Sequence, residues 1–134
     1  MSDGGHSLFL RVYYEDTDAA GIVHYANYLK FAERGRTEML RDAGFDHRRL
    51  RDEHDLVFAV RRCSADYRRP ARLDDRLEVR TAVSRHSGAR LVMSQSILRD
   101  GELLVAVEVE LAILSTRLRP RRLPADLVAA LIRS

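Results

Sequence analysis

The chain has 134 residues, a formal net charge of +3, an isoelectric point near 9.4 and one cysteine, Cys63. Residues 1–134 fit a single domain that buries roughly two thirds of its unfolded surface without staples, and a lone cysteine excludes an intrachain disulfide and points to a reducing, cytoplasmic setting. No run approaches the roughly 18 apolar residues of a membrane span, and M-S-D-G-G-H-S at the N-terminus has no basic-then-apolar leader pattern.

Along the chain, Leu8, Leu10 and Val12 alternate with Phe9, Arg11 and Tyr13, which predicts a first strand ending at the acidic turn around Asp16 and Asp18. From Asn27 to Ala43 the period changes. Tyr28, Phe31, Ala32, Gly35 and Met39 recur at helical spacing, and Gly44 follows as a C-cap. Gly35 on the apolar side of this long helix implies close approach to a sheet. Asp46 to Asp55 reads as a short helix plus loop. Strands follow at Val57 to Tyr67, Leu77 to Val83 and Leu91 to Ile97, and the Asp100-Gly101 pair predicts a tight hairpin into an alternating run from Leu103 to Ile113. The length of that run marks a central strand. Pro120 and Pro124 bracket a basic linker before a closing helix at Ala125 to Ile132. Cys63 lies in an alternating run with no nearby histidine, so it reads as a buried small hydrophobe rather than a nucleophile.

One long helix and five largely antiparallel strands give an α+β domain. A sheet of this length with a single helix on one face would curl around that helix, and its other face and edges would favour self-association.

Asp16 and Asp18 precede the long helix, whose start offers free backbone N–H groups and the positive end of a dipole. Three readings compete for Asp16, Asp18 and His24. The two carboxylates can be turn formers with His24 a satisfied polar group. The three can be metal ligands, but with no matching downstream cluster they make a poor site, and no metal is expected. Alternatively, Asp18 acts as nucleophile or general base on an acyl group whose carbonyl oxygen rests on the helix N-terminus.

Three segments then carry a resemblance: R-V-Y-Y-E-D-T-D-A-A-G-I-V (Arg11 to Val23), E-R-G-R-T-E-M-L-R (Glu33 to Arg41) and Y-R-R-P-A-R-L-D-D-R-L-E (Tyr67 to Glu78). In this order they resemble the Tol-Pal-associated acyl-CoA thioesterases of the hotdog-fold family that also contains 4-hydroxybenzoyl-CoA thioesterase. The resemblance runs from about Leu8 to Leu123-Pro124. It implies a hotdog fold, hydrolysis of an acyl-CoA thioester without a cofactor, Asp18 as the acting carboxylate, and the backbone N–H of Tyr25 as the group polarising the carbonyl. Chemistry is compatible with those roles, because a thiol with a pKa near 8.5 leaves without a strong general acid.

Gly21, His24 and Tyr28 are candidate site-lining residues. The Tol-Pal-associated branch commonly reads G-V-V-Y-H-A, whereas here His24 precedes Tyr25; one residue on a helix turns a side chain by about 100°, so His24 does not inherit the usual histidine's role. Tyr25-Ala26-Asn27-Tyr28 matches the 4-hydroxybenzoyl-CoA thioesterase pattern better. For the coenzyme A phosphates the resemblance implies surface basic residues, often from a neighbouring subunit. By location these are Arg85, His86, Arg90, Arg117 and Arg119. Glu33, Arg36 and Glu38 fit i, i+3 charge pairing as well as a catalytic role.

The expected assembly is a homotetramer built as a dimer of dimers, with sites at the dimer interface. The alternative is a module that binds acyl groups or an acyl-carrier protein without turnover. Nucleic-acid binding ranks third, since no basic stripe is interleaved with aromatics.

Overall fold

The structure, a computed structural model, describes residues 5–133; residues 1–4, read above for a leader, and Ser134 lie outside them. Its elements are β1 (His6–Arg11), a single 3-10 turn (Tyr14–Asp16), α1 (Asn27–Asp42), α2 (His47–His54), β2 (Val57–Tyr67), β3 (Arg76–Ser87), β4 (Arg90–Arg99), β5 (Glu102–Leu114) and α3 (Ala125–Arg133). The five strands form one antiparallel sheet in the order β1-β3-β4-β5-β2. None of the helices among the described residues is long and apolar enough to cross a membrane.

The predicted helix falls where its apolar spacing puts it. Tyr28, Phe31, Ala32, Gly35, Met39 and Leu40 are buried on one side of α1, against the sheet. It ends in a Schellman arrangement: Gly44 at φ +90° donates to the Arg41 carbonyl at 2.9 Å, and Phe45 donates to that of Leu40 at 2.8 Å. Aspartate 46 caps α2, its Oδ1 accepting from the Arg49 N–H at 2.8 Å. Asp100 and Gly101 both have positive φ, +51° and +82°, as a two-residue type I′ hairpin demands.

One core cluster centres on Phe31, Leu77, Val79, Ile97 and Leu104 under the first half of α1; a second gathers Met39, Leu50, Met93, Ile113, Leu127 and Leu131 under its second half. Helices α2 and α3 therefore share the covering of the sheet that the sequence assigned to α1 alone. Strand β5 is interior, as expected from its length, although the middle strand is β4.

Cysteine 63 departs from expectation: it is exposed, not buried. Its strand, β2, lies at the edge of the sheet and is exposed at most positions on both faces. Alternation alone does not reveal this, because the same pattern marks an interior strand and an edge strand that has a neighbour on one side only.

Candidate active site

The segment between β1 and α1 folds into a small hairpin. Thr17 bridges Val23, the Asp18 N–H donates to the Ile22 carbonyl at 2.9 Å, and the Gly21 N–H donates to the Asp18 carbonyl at 3.0 Å. Gly21 takes φ +78°, the left-handed conformation such a three-residue loop needs at that place. Asp18 is exposed at the head of this turn, and its Oδ1 accepts from the Ala20 N–H at 2.9 Å; among the described residues its Oδ2 has no partner.

Asp16 is a turn former. Its Oδ2 accepts from the Tyr13 N–H at 2.8 Å, and its carbonyl takes the His24 N–H at 3.1 Å and the Asn27 side-chain amide at 2.8 Å. These bonds lay the Asp16–Asp18 strand alongside the residues that lead into α1.

The Y-R-R-P-A-R-L-D-D segment holds the hairpin from the other side. The Val23 N–H donates to the Ala71 carbonyl at 2.9 Å, and the Ala71 N–H donates to the Tyr28 hydroxyl at 2.8 Å. Farther along, Leu73 donates to the Gly21 carbonyl at 3.1 Å and Arg99 clamps Asp75 at 2.7 Å. Two of the three sequence motifs thus meet around the start of α1, and the third runs along that helix.

Tyr25 and Ala26 form the turn that enters α1, which begins at Asn27, where the sequence period changes. Among the described residues no acceptor takes the N–H of Tyr25. On one side the His24 N–H is taken by the Asp16 carbonyl; on the other the Ala26 N–H is likewise without an acceptor among the described residues, and the next donor, Asn27, goes to the His24 carbonyl at 2.9 Å. A free N–H at a helix entry is an anion-seeking group. The Tyr25 ring is 64% exposed and meets Tyr67 of β2 edge-on, centroids 6.2 Å apart.

His24 is exposed, its ring tilted against Tyr25 at 4.7 Å, and among the described residues its side chain bonds to nothing. Tyr28 is buried, and burial raises its hydroxyl pKa, which the Ala71 N–H partly offsets. Its ring closes the floor of a shallow pocket of about 230 Å³ shared with Val23, Tyr25 and Tyr67. Arg68 and Arg69, which the sequence reading did not single out, stand at that pocket's wall.

A separate cavity of about 380 Å³ lies beside α1 and the edge strand, walled by Leu29, Leu40, Phe58, Val60 and Met93, with Lys30, Glu33, Arg36, Thr37 and His47 among its polar groups. The i, i+3 pairing expected of this helix occurs only between Glu38 and Arg41, at 3.3 Å. Arg36 instead donates to Gln95 Oε1 at 3.0 Å, while Gln95 Nε2 donates to the Ala32 carbonyl at 2.7 Å and to Thr81 Oγ1 at 2.9 Å. Burial pushes the Arg36 pKa down. Burial likewise lowers that of His47, whose Nε2 lies 3.1 Å from Thr37 Oγ1. Gln95 was visible in the sequence as a polar residue on the apolar side of an alternating strand.

The basic candidates lie elsewhere in the protomer. Arg85, His86 and Arg90 flank the β3–β4 turn, where Arg90 pairs with Glu110 at 3.2 Å, and Arg117 and Arg119 follow β5. Tyr67 pairs with Val105 and Arg90 with Ala112, seven residues along β5, so the two ends are separated by roughly 23 Å at strand rise.

Comparison with known proteins agrees with this architecture. A family model described as the thioesterase-like superfamily matches residues 12–131. The chain is 41% identical over 131 residues to the acyl-CoA thioesterase YbgC of Haemophilus influenzae, covering 97% of this chain and 96% of that one. It is 43% identical over 122 residues to the acyl-CoA thioester hydrolase YbgC of Escherichia coli O6:H1, covering 90% of each. A crystal structure of a 4-hydroxybenzoyl CoA thioesterase mutant complexed with 4-hydroxybenzoyl CoA superposes with a TM-score of 0.88 at 22% identity, over 95% of this chain and 98% of that one, and shows the shared hotdog fold. With motifs, fold and full-length relatives in agreement, the chain belongs to the thioesterase-like superfamily.

Proposed function

We propose that this protein hydrolyses an acyl-CoA thioester to a free carboxylic acid and coenzyme A, with Asp18 as the acting carboxylate and the Tyr25 N–H as the donor to the carbonyl oxygen. The observation that carries the reading is the unsatisfied Tyr25 N–H at the entry of α1, beside a hairpin that presents Asp18 with one oxygen held and the other open. The relatives named acyl-CoA thioesterases support the substrate class.

Negative charge grows on the carbonyl oxygen as the tetrahedral centre forms, and a preorganised N–H stabilises it there. Asp18 either attacks the carbonyl to give a mixed anhydride, which water then cleaves to the free acid and the restored carboxylate, or takes a proton from the attacking water; the same oxygen serves both routes. In either case the thiolate of coenzyme A leaves unaided, so no cofactor enters the reaction. The phosphates of coenzyme A rest on Arg85, His86, Arg90, Arg117 and Arg119 of a neighbouring subunit.

That arrangement requires a homo-oligomer, a dimer of dimers with sites at the dimer interface. The long, exposed edge strand β2 supports it, since an unpaired edge of eleven residues invites a second copy. A cytoplasmic location is consistent with the single free cysteine.

The test is thiol release from short, long and aromatic acyl-CoA substrates by the wild type and by Asp18→Asn. Asparagine keeps an oxygen for the Ala20 N–H, so the variant should retain its fold and assembly while turnover drops by about 10² or more. Near-wild-type release from Asp18→Asn would sink the assignment. Tight acyl-CoA or acyl-carrier-protein binding with no thiol released by the wild type would replace it with the non-catalytic module.

A further inference from the structure

Arg36 is a cation in an unusual position. It sits half-buried on the side of α1 that faces the 380 Å³ cavity, and among the described residues its only acceptor is Gln95 Oε1 and it makes no ion pair. A guanidinium has five N–H donors in a rigid fork, and leaving most of them unused in a partly desolvated site is costly. Its geometry is fixed, not incidental. The Ala32 carbonyl can only accept and the Arg36 guanidinium can only donate, so the Gln95 amide is held in one orientation and its oxygen aims the guanidinium back toward the level of Ala32. Thr81, fully buried, braces the same amide from β3.

Ala32 lies seven residues beyond Tyr25, roughly 10 Å along the helix axis. Leu29, on the same side of α1 and one turn past Tyr25, provides the apolar wall between the two points. A chain that leaves its carbonyl at Tyr25 and runs along this side of α1 therefore meets apolar Leu29 first and the Arg36 guanidinium afterwards. Glu33 and Lys30, both exposed, also border the cavity; the Glu33 carboxylate favours the charge on Arg36 from a distance but forms no ion pair with it among the described residues, so the guanidinium fork stays open to a second carboxylate.

We infer that Arg36, positioned by Gln95, selects acyl groups whose far end carries a second carboxylate, that is, the mono-CoA thioesters of medium-length dicarboxylic acids. A carboxylate there meets two parallel N–H donors of the guanidinium fork, whereas an alkyl terminus of equal length leaves the cation without an acceptor. This inference rests on the thioesterase reading and specifies the substrate class of the same site.

The test compares thiol release from suberoyl-CoA and octanoyl-CoA, which match in carbon count and differ in the terminal carboxylate. Wild-type enzyme should favour suberoyl-CoA in kcat/KM by at least tenfold. In Arg36→Gln the ratio of the two kcat/KM values should fall by at least tenfold, and Arg36→Lys should restore part of it. A wild-type ratio near one overturns the inference without any variant. An equal loss on both substrates in Arg36→Gln, with or without dissociation of the oligomer, also overturns it, by assigning Arg36 to packing or to a carboxylate of a second copy. Absence of thiol release from every acyl-CoA by the wild type is a different result, which removes the thioesterase reading itself.

Discussion

Gly35 of α1 backs onto Val79 of β3 so closely that a Cβ at position 35 would stand 2.6 Å from Val79 Cγ1 and 3.0 Å from Thr81 Oγ1. Both neighbours belong to buried residues, so neither can swing away. Alanine gains about 1 kcal/mol of helix propensity over glycine, but overpacking a tight core costs about 1–3 kcal/mol. Gly35→Ala should therefore be net destabilising by about 1–2 kcal/mol, read as a lower midpoint in urea. An unchanged or raised midpoint would show that the helix can lift from the sheet at no cost.

Gln95 joins three elements through one amide, touching Ala32, Arg36 and Thr81. Replacing it with leucine fills similar volume but removes every one of those bonds and strands a partly buried guanidinium. We expect Gln95→Leu to cost about 2 kcal/mol in equilibrium unfolding, near the value for a buried polar partner lost. Thr81→Val, which removes one bond, should cost less. Equal effects for the two would mean that the amide does not organise Arg36.

What could be read from the sequence follows what is local. The span of α1, its Gly44 stop, the Asp100-Gly101 hairpin and the four later strands are set by period and turn chemistry, and each stands close to its expected place. The contact implied by Gly35 was legible because only glycine leaves room for such an approach. By contrast, exposure of Cys63 depends on β2 being the last strand of the sheet, a property of strand order that no spacing records. Arg36 shows the same limit: its i, i+3 neighbour Glu33 is legible in the sequence, but its hydrogen-bond partner, Gln95, is 59 residues away. The resemblance supplied Asp18 and Tyr25; the hairpin that seats Asp18 required the fold.

Gly21 offers a test of how that hairpin serves Asp18. At φ +78° an alanine is strained by roughly 1–2 kcal/mol, while asparagine tolerates the left-handed region better. The space around it is open, so strain rather than collision decides. Gly21→Ala should lower kcat at least tenfold with a modest loss of stability, and Gly21→Asn should retain much more activity. Equal kcat in the two variants would separate the turn from catalysis.

Asp55 links stability to pH. The carboxylate accepts from the Thr116 hydroxyl at 2.6 Å and from the Thr116 N–H at 3.0 Å, and those bonds, aided by Arg121, hold its pKa below the usual value. A carboxyl depressed in the folded state stabilises above its unfolded pKa, near 3.9, and loses that contribution as pH falls through the folded value. Asp55→Asn keeps a residue that suits φ +50° and an oxygen for Thr116, but has no proton to lose. Its urea midpoint should lie below that of the wild type at neutral pH, and the two should converge in strong acid. A gap that does not narrow as pH falls would exclude linkage through this group.

The edge strand gives the last prediction. Val60 of β2 is 56% exposed and Tyr67 45%, on a strand with only β5 beside it. An edge of eleven residues is a pairing template, and added charge, lysine above all, is the usual device against it; β2 already carries Arg61, Arg62 and Asp66, while Val60 is an exposed apolar position beside them. Val60→Lys puts such a charge mid-edge while leaving the ladder to β5 intact, since the side chain takes no part in backbone bonding. The variant should sediment as a smaller species than the wild type. In the proposed assembly the basic groups on the β3–β4 turn reach Asp18 from another copy, so the KM for acyl-CoA should rise at least tenfold as assembly is lost, and high protein concentration should recover it. Unchanged sedimentation would mean that copies meet elsewhere. A smaller species with full activity would show that one protomer binds coenzyme A alone, which would shift attention to Arg68 and Arg69 at the wall of the pocket beside Tyr25.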